Sequence, residues 1–255
     1  MLDFFRNQRA RKIAKWINHK GRVLDIGCGN GRFLQKIQKY GQIEGFGIEM
    51  PGGSAERAKL VLGDRLKVGV LEEEDFDKAY FDAITLFHVF EHLTDPKGYL
   101  ENISRMIKPG GVLYMSFPNI DSIQAKLFKG DWLHLDPPRH LFLFSPEAFK
   151  EQMSHYGFEI IHAKHFNIEY NPFGFQQSLL NKIYAKREVL YESLKGNKAY
   201  TSEYSKWNLR LQNLFFKLTA PLFIISDWFS ASFGRGATVE FMMRKARPNS
   251  DKANR

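Results

Sequence analysis

The chain has 255 residues, 44% of them hydrophobic and 15% aromatic, and a formal charge of +9. That composition, with 23 phenylalanines, excludes a largely disordered chain, because disorder needs low hydrophobicity. A single cysteine, Cys28, excludes an internal disulfide and suits a reducing, cytoplasmic compartment.

The opening residues, MLDFFRNQRARKIAKW, mix apolar and basic side chains without the long apolar run of a signal peptide. They predict an amphipathic helix with Phe4, Phe5, Ile13 and Trp16 on its buried face. Residues 22–26, RVLDI, predict a strand that runs into glycines, and Phe33, Leu34 and Ile37 then follow helical spacing. Residues 44–50, EGFGIEM, predict a second strand, and GGSAERAKLVLG a helix. LKVGVLE is a short third strand and residues 80–90, YFDAITLFHVF, a fourth. DPKGYLENISRMIKPGG predicts a helix ended by Pro109 and Gly110, and VLYMSFPN a fifth strand. Strands that are apolar throughout are buried on both faces, so this alternation predicts an α/β fold with a mainly parallel sheet covered by helices. Ligands of such sheets sit beyond the C-terminal strand ends.

After residue 120 a helix gives way to an aromatic, histidine-rich loop. Ser145, Pro146 and Glu147 start a helix, and a strand is expected at 158–166. Residues 169–236 are mostly helical in pattern and rich in Lys, Phe and Leu; residues 238–246 predict a last strand before a polar tail. The stretch 218–233 is the nearest candidate for a membrane span. Asp227 interrupts it and Pro221 kinks it, leaving an uncharged run shorter than the roughly 20 residues a span needs.

The turn in VLDIGCGNGRFL decides among three ligands. A phosphate-binding loop needs Lys and then Ser or Thr, whereas Arg32 and Phe33 follow Gly31. A dinucleotide turn prefers a third glycine where Arg32 stands. S-adenosylmethionine presents a carboxylate and an ammonium instead of a pyrophosphate. Gly27, Gly29 and Gly31 suit the carboxylate, and Asp25, two residues before the first glycine, suits the ammonium. Glu49, ending the second strand, suits both ribose hydroxyls of any adenosine ligand.

On the pieces VLDIGCGNGRFL, GFGIEM, FDAITLFHVFEHLTDP and IKPGGVLYMSFPN, the chain resembles class I S-adenosylmethionine-dependent methyltransferases. The later DPPRHLFLFSPEAF and GRGATVEFMMRK are similar to a subgroup met beside polysaccharide and lipid biosynthesis enzymes. The resemblance implies a Rossmann-like sheet of seven strands with an antiparallel last strand, made from residues 1–168 plus 237–248. Residues 169–236 would be a helical insert or lid. It also implies that Asp25, Gly27, Cys28, Gly29 and Gly31 surround the methionine end and Glu49 holds the ribose. Leu71 and Glu72 would then lie against the adenine, and His88 close to the cofactor.

HVFEH, with His88, Glu91 and His92, also fits an inverted zinc-peptidase pattern, but a protease leaves the glycine turn unexplained. Quinone O-methyltransferases look similar here and carry an acidic-x-x-Glu-His cluster linked to a divalent metal; this chain has His88 in place of the first acid. No metal ligands are assigned, and a divalent metal is not the expectation. A hydroxyl acceptor needs a base, and His92 and His140 are the candidates; the alternative is that they order their loops. Arg139 either clamps an anionic acceptor or pairs with Asp136 or Asp131. The expected reaction is O-methylation of a small or lipid-linked acceptor, with no nucleic acid partner, because the positive charge is scattered and not gathered in an arm. The basic, aromatic insert 169–236 is either a lid or a face for an anionic membrane, which would put the protein at the inner side of that membrane. A cofactor-binding protein without chemistry and a nucleic-acid methyltransferase are the competing readings.

Overall fold

A computed structural model of the chain describes residues 2–247. The polar tail expected after the last strand lies, from residue 248 on, outside the described residues, as does the end of the expected methyltransferase domain. The described residues form two compact units, 2–117 with 147–163 and 240–247, and 118–146 with 164–239.

The first unit is built on a seven-stranded sheet: β1 (Lys20–Ile26), β2 (Gln42–Glu49), β3 (Leu66–Val68), β4 (Phe81–Phe87), β5 (Ile107–Pro118), β6 (Phe158–Lys164) and β7 (Thr238–Lys245). Their order is β3-β2-β1-β4-β5-β7-β6, mostly parallel with the last strand antiparallel, a Rossmann-like class I methyltransferase fold. β1 pairs in parallel with β2 on one side and β4 on the other. The strand order therefore reverses at β1, and a crevice opens beyond the ends of β1 and β4. In β4, Phe81, Ala83, Ile84 and Leu86 are all buried, as a central strand covered on both faces requires.

Helices α1 (Leu2–Trp16), α2 (Arg32–Ile37), α3 (Gly53–Leu62), α4 (Pro96–Met106) and α6 (Pro146–His155) belong to the same unit; α5 comes later in the second. On α1 the buried residues are Ala10, Ile13 and Ala14, followed by Ile17, while Phe4 and Trp16 are exposed. Small residues set the helix close to its neighbours, so size misled the expected choice of Phe4 and Trp16. Asp95 caps α4 by accepting from the Gly98 amide at 3.0 Å. α4 ends at Met106 and not at Pro109 as expected, because β5 already starts at Ile107. Ile107 pairs with Phe81 and Val112 with Ala83, so the residues between bulge out of the ladder and accommodate Pro109 and Gly110.

The second unit holds α5 (Ile123–Phe128), α7 (Asn171–Ile183), α8 (Val189–Lys195) and α9 (Lys206–Ser232). It takes in 118–146 together with the expected insert, and side chains explain why. Asn119 donates to the Gly236 carbonyl at 3.0 Å, Gln124 to the Asn171 carbonyl at 2.8 Å, and the Leu133 amide to Ser178 Oγ at 2.8 Å. α9 runs 27 residues straight through Pro221, so the kink expected to divide it does not end it. Beside the proline, Gln176 donates to the Phe216 carbonyl at 2.8 Å and the Thr219 hydroxyl to the Phe215 carbonyl at 2.7 Å. By length and composition alone this helix is apolar enough to cross a membrane, although Lys217 and Asp227 keep its uncharged run short, as expected.

Candidate cofactor and active site

β1 ends at Ile26, and the chain turns through Gly27, Gly29 and Gly31 at φ 72°, 58° and 72°. Glycine adopts this left-handed backbone without steric cost. At Gly27 a Cβ would also fall 2.3 Å from Val89 Cγ2. At Gly29 nothing stands within 4 Å, so the bare backbone faces open space. Gly31 caps α2 and lines neither cavity described below.

The turn spends its amides locally. Gly27 and Cys28 donate to the Ile48 carbonyl at 2.8 and 3.0 Å, and Gly31 to the Cys28 carbonyl at 3.0 Å. Gly29 donates to Glu49 Oε2 at 2.7 Å. The glycines therefore supply shape and clearance, and they fix the Glu49 carboxylate at the end of β2.

Two cavities flank the turn, and Gly27 and Gly29 border both. The smaller, about 300 Å³, is lined by Arg6, Arg9, Asp25, Cys28 and Ser54. Asp25 is buried and accepts from the Thr85 hydroxyl at 2.6 Å. Burial pushes its carboxyl up to about 7, against the Thr85 hydrogen bond and the positive charge of Arg9. A buried acid in that state gains most from a cation brought to it. Burial, with the charges of Asp25 and Glu49, also raises the Cys28 thiol, which stays protonated and is no nucleophile.

The larger cavity, about 540 Å³, gathers Gly27, Gly29, Glu49, Val70, His88 and His92 on its wall. His88 follows β4 and holds φ 55°, a conformation few residues other than glycine adopt. Its Nδ1 lies 3.3 Å from Glu91 Oε1. Glu91 is 1% exposed, and its Oε2 has no hydrogen-bond partner among the described residues. Edge-to-face packing of Phe90 on Phe149 anchors the short 3-10 turn Phe90–His92 that carries Glu91 and His92.

At the opposite end Gly69 and Val70 form the cavity wall. Leu71 is buried just behind them and donates its amide to the Tyr99 hydroxyl at 3.1 Å. Glu72 is engaged elsewhere: it pairs with Lys67 at 2.6 Å and caps the next turn together with Asp75. Among the residues that line or support these cavities, Arg6, Arg9, Val70, Thr85 and Tyr99 had not been singled out from the sequence. Thr85 left a readable trace, a polar residue inside the apolar run AITLF, directly opposite Asp25 in the parallel register. Arg6 and Arg9 left none, because nothing in a basic helix says where it packs.

His140 belongs to the second unit, where its Nδ1 lies 2.7 Å from the His134 carbonyl. That ring nitrogen donates, and Nε2 remains 4.0 Å from Asp136 Oδ2. Arg139 pairs with Asp136 at 2.6 Å, so of the two acids considered for it Asp136 is the partner.

A family model described as a methyltransferase domain matches residues 5–163. The chain belongs to this methyltransferase family. As a member it has an S-adenosylmethionine-binding fold. The methyltransferase is 33% identical over 117 residues to a ubiquinone biosynthesis O-methyltransferase of Coxiella burnetii, a match covering 44% of this chain and 50% of the relative. The chain thus spans about half the length of the curated relatives it matches. Among solved structures it is similar to a putative sarcosine dimethylglycine methyltransferase from Galdieria sulphuraria. There the TM-score is 0.58 at 15% identity, over 96% of this chain and 85% of the other. The [4+2]-cyclase SpnF shares the fold at a TM-score of 0.56 and 16% identity, over 95% of this chain and 82% of the other. The fold by itself does not fix the chemistry.

Proposed function

We propose that the chain transfers a methyl group from S-adenosylmethionine to an oxygen of a small or lipid-linked acceptor. The observation that carries this reading is Asp25, a buried acid beside Arg9 in one recess, next to a cavity that has Glu49 on one wall and two histidines on another. The recess has the chemistry of an amino-acid end: Asp25 would hold the ammonium and Arg9 the carboxylate. Glu49, its Oε2 already held by Gly29, would accept from the ribose hydroxyls, and Gly69 and Val70 would face the adenine. The bound cofactor supplies an electrophilic methyl group on a sulfonium.

The protein's part is alignment, exclusion of water and removal of a proton. His88 and His92 both line the larger cavity, and His92 is the first candidate to take a hydroxyl proton. Glu91 holds His88 through Nδ1 and so fixes the ring beside the cavity. His140, its Nδ1 held by the His134 carbonyl, is the second candidate base. The similarity to a ubiquinone biosynthesis O-methyltransferase supports an oxygen acceptor.

The test joins calorimetry with S-adenosylhomocysteine to transfer of a labelled methyl group onto a panel of phenolic, sugar and prenylated hydroxyl acceptors. Binding followed by turnover that falls at least tenfold in His92→Gln or His140→Gln is expected. Unchanged rates in both variants remove the base proposal. Uptake of nicotinamide nucleotides in place of the sulfonium compound removes the whole reading.

A further inference from the structure

α9 is built inside out for a helix bathed in water. Its residues facing its own unit include Gln212 and Asp227, each 2% exposed, and Ser230. They are tied down by polar bonds: Asp227 accepts from Asn171 at 3.2 Å, Gln212 donates to Asn208 at 2.8 Å, and Thr219 accepts from Gln176 at 2.8 Å. The outward residues are large and apolar. Trp207 is 68% exposed, Leu218 71%, Ile225 64% and Trp228 61%, with Leu211, Leu214, Leu222 and Phe229 between them. At about 100° per residue these positions fall within an arc of roughly 120° along the whole helix. Water drives such a stripe to be covered.

Charge says by what. Lys206, Arg210 and Lys217 are exposed and, at the same angular step, fall in one row along a single edge of the stripe. The only acidic residue in α9 is the buried Asp227. An apolar stripe edged by cations, with tryptophan near each end, matches the boundary of an anionic bilayer. A second copy fits poorly, because an antiparallel two-fold pairing through this face brings two cationic rows together, and a parallel one gives neither row an acid to meet. Crossing the bilayer also fits poorly. Asp227 and Thr219 would leave their partners on α7, Asn171 and Gln176, and enter hydrocarbon, where each unsatisfied polar group is expensive.

We infer that α9 is a membrane-docking element that lies in the plane of an anionic lipid surface, with its Trp207–Phe229 stripe in the acyl boundary and Lys206, Arg210 and Lys217 among the headgroups. This extends the proposed function without depending on the acceptor. Sedimentation of the full chain with vesicles of equimolar phosphatidylcholine and phosphatidylglycerol tests it. At low salt the protein is expected in the pellet; with phosphatidylcholine alone, or at high salt, it stays in solution. The double variant L218E/I225E and the triple variant K206E/R210E/K217E each reduce partitioning at least tenfold. Both still take up S-adenosylhomocysteine in calorimetry, which shows that they fold. Absence of binding at low salt overturns the inference, as does binding unchanged in L218E/I225E. So does a chromatographic dimer that L218E/I225E converts to a monomer without any vesicle binding. Lost vesicle binding with intact cofactor uptake speaks to this inference alone; lost cofactor uptake in the parent chain speaks to the functional reading alone.

Discussion

In the first unit nearly every fully buried side chain is apolar, and Asp25, Thr85 and Glu91 stand out as buried polar residues around its cavities. In the second unit the buried set is full of amides and hydroxyls: Asn119, Gln124, Asn171, Gln176, Gln177 and Asn181. The difference follows from backbone geometry. A sheet satisfies its own amides and carbonyls through the ladder, so its side chains are free to be hydrocarbon, and a polar one left inside marks a ligand site. Helices joined by irregular loops leave carbonyls at bends and ends, and side-chain amides must answer them. Asn171 shows this, donating to the His165 carbonyl at 3.0 Å and to Asp227 while accepting from Thr238 at 2.7 Å. A buried polar residue thus speaks of function in one unit and of construction in the other.

The largest break in this comparison should come at Asp25. On the proposed reading Asp25→Asn removes the counter-ion for the cofactor ammonium, and calorimetry should show S-adenosylhomocysteine affinity down by at least about 100-fold, the scale of a lost buried charge partner. The far-ultraviolet circular dichroism should not change. The parent protein should show the same dependence through pH. With a folded carboxyl near 7, binding a cation needs the ionised form, so affinity should fall close to tenfold per pH unit below about 7 and level off above it. A flat profile there would make Asp25 a construction residue like those of the second unit.

Asn171 is the counterpart. It is fully buried and lines neither of the two cavities beside the glycine turn. Asn171→Ala strands Asp227, Thr238 and the His165 carbonyl at once. The expected cost is about 2–4 kcal/mol in urea unfolding, with cofactor affinity changed less than twofold.

The sequence carried unequal information about the two units. Alternating apolar runs and the glycine turn prescribe the sheet, because ladder pairing and burial on both faces leave few residue choices per strand. The positions of Asp25 and Glu49 followed from those strand ends. Arg9 did not, since which helix face meets the turn is decided by tertiary packing of Ala10, Ile13 and Ala14. Nor did the inward polar face of α9. Asp227 and Pro221 look like interruptions in a string of letters, but Asn171 receives the acid from another helix and the proline is absorbed by the bonds beside it. Long-range satisfaction of polar groups leaves no local pattern.

Asp227 sharpens the comparison further, because burial pushes it up to about 7 as it does Asp25, against the Asn171 and Asn167 hydrogen bonds and the charge of Lys164. Both groups hold protons in the folded chain that an ordinary carboxylate has lost. Their contribution to stability is complete below about pH 4 and is lost as the pH rises through 7. Thermal midpoints should therefore decline across that window. Asp227→Asn should remove part of the slope, a difference on the order of 1–3 kcal/mol at pH 8, and leave the part due to Asp25. S-adenosylhomocysteine should remove the Asp25 part and leave the Asp227 part. If ligand and substitution erase the same component, the two acids are not independent.

The smallest expected effect is the outward face of α9. Leu218 is 71% exposed, so truncating it removes little hydrocarbon that folding had taken out of water. Leu218→Ser should change unfolding free energy in detergent-free buffer by less than about 0.5 kcal/mol, as surface substitutions do. A residue of this size and character, spaced in register with seven others and free to be serine without harm to the fold, is held there by something outside the fold. A loss of about 2 kcal/mol would reverse the argument, because it would mean that the stripe is covered by protein in solution and that its exposure along the isolated chain is closed by association.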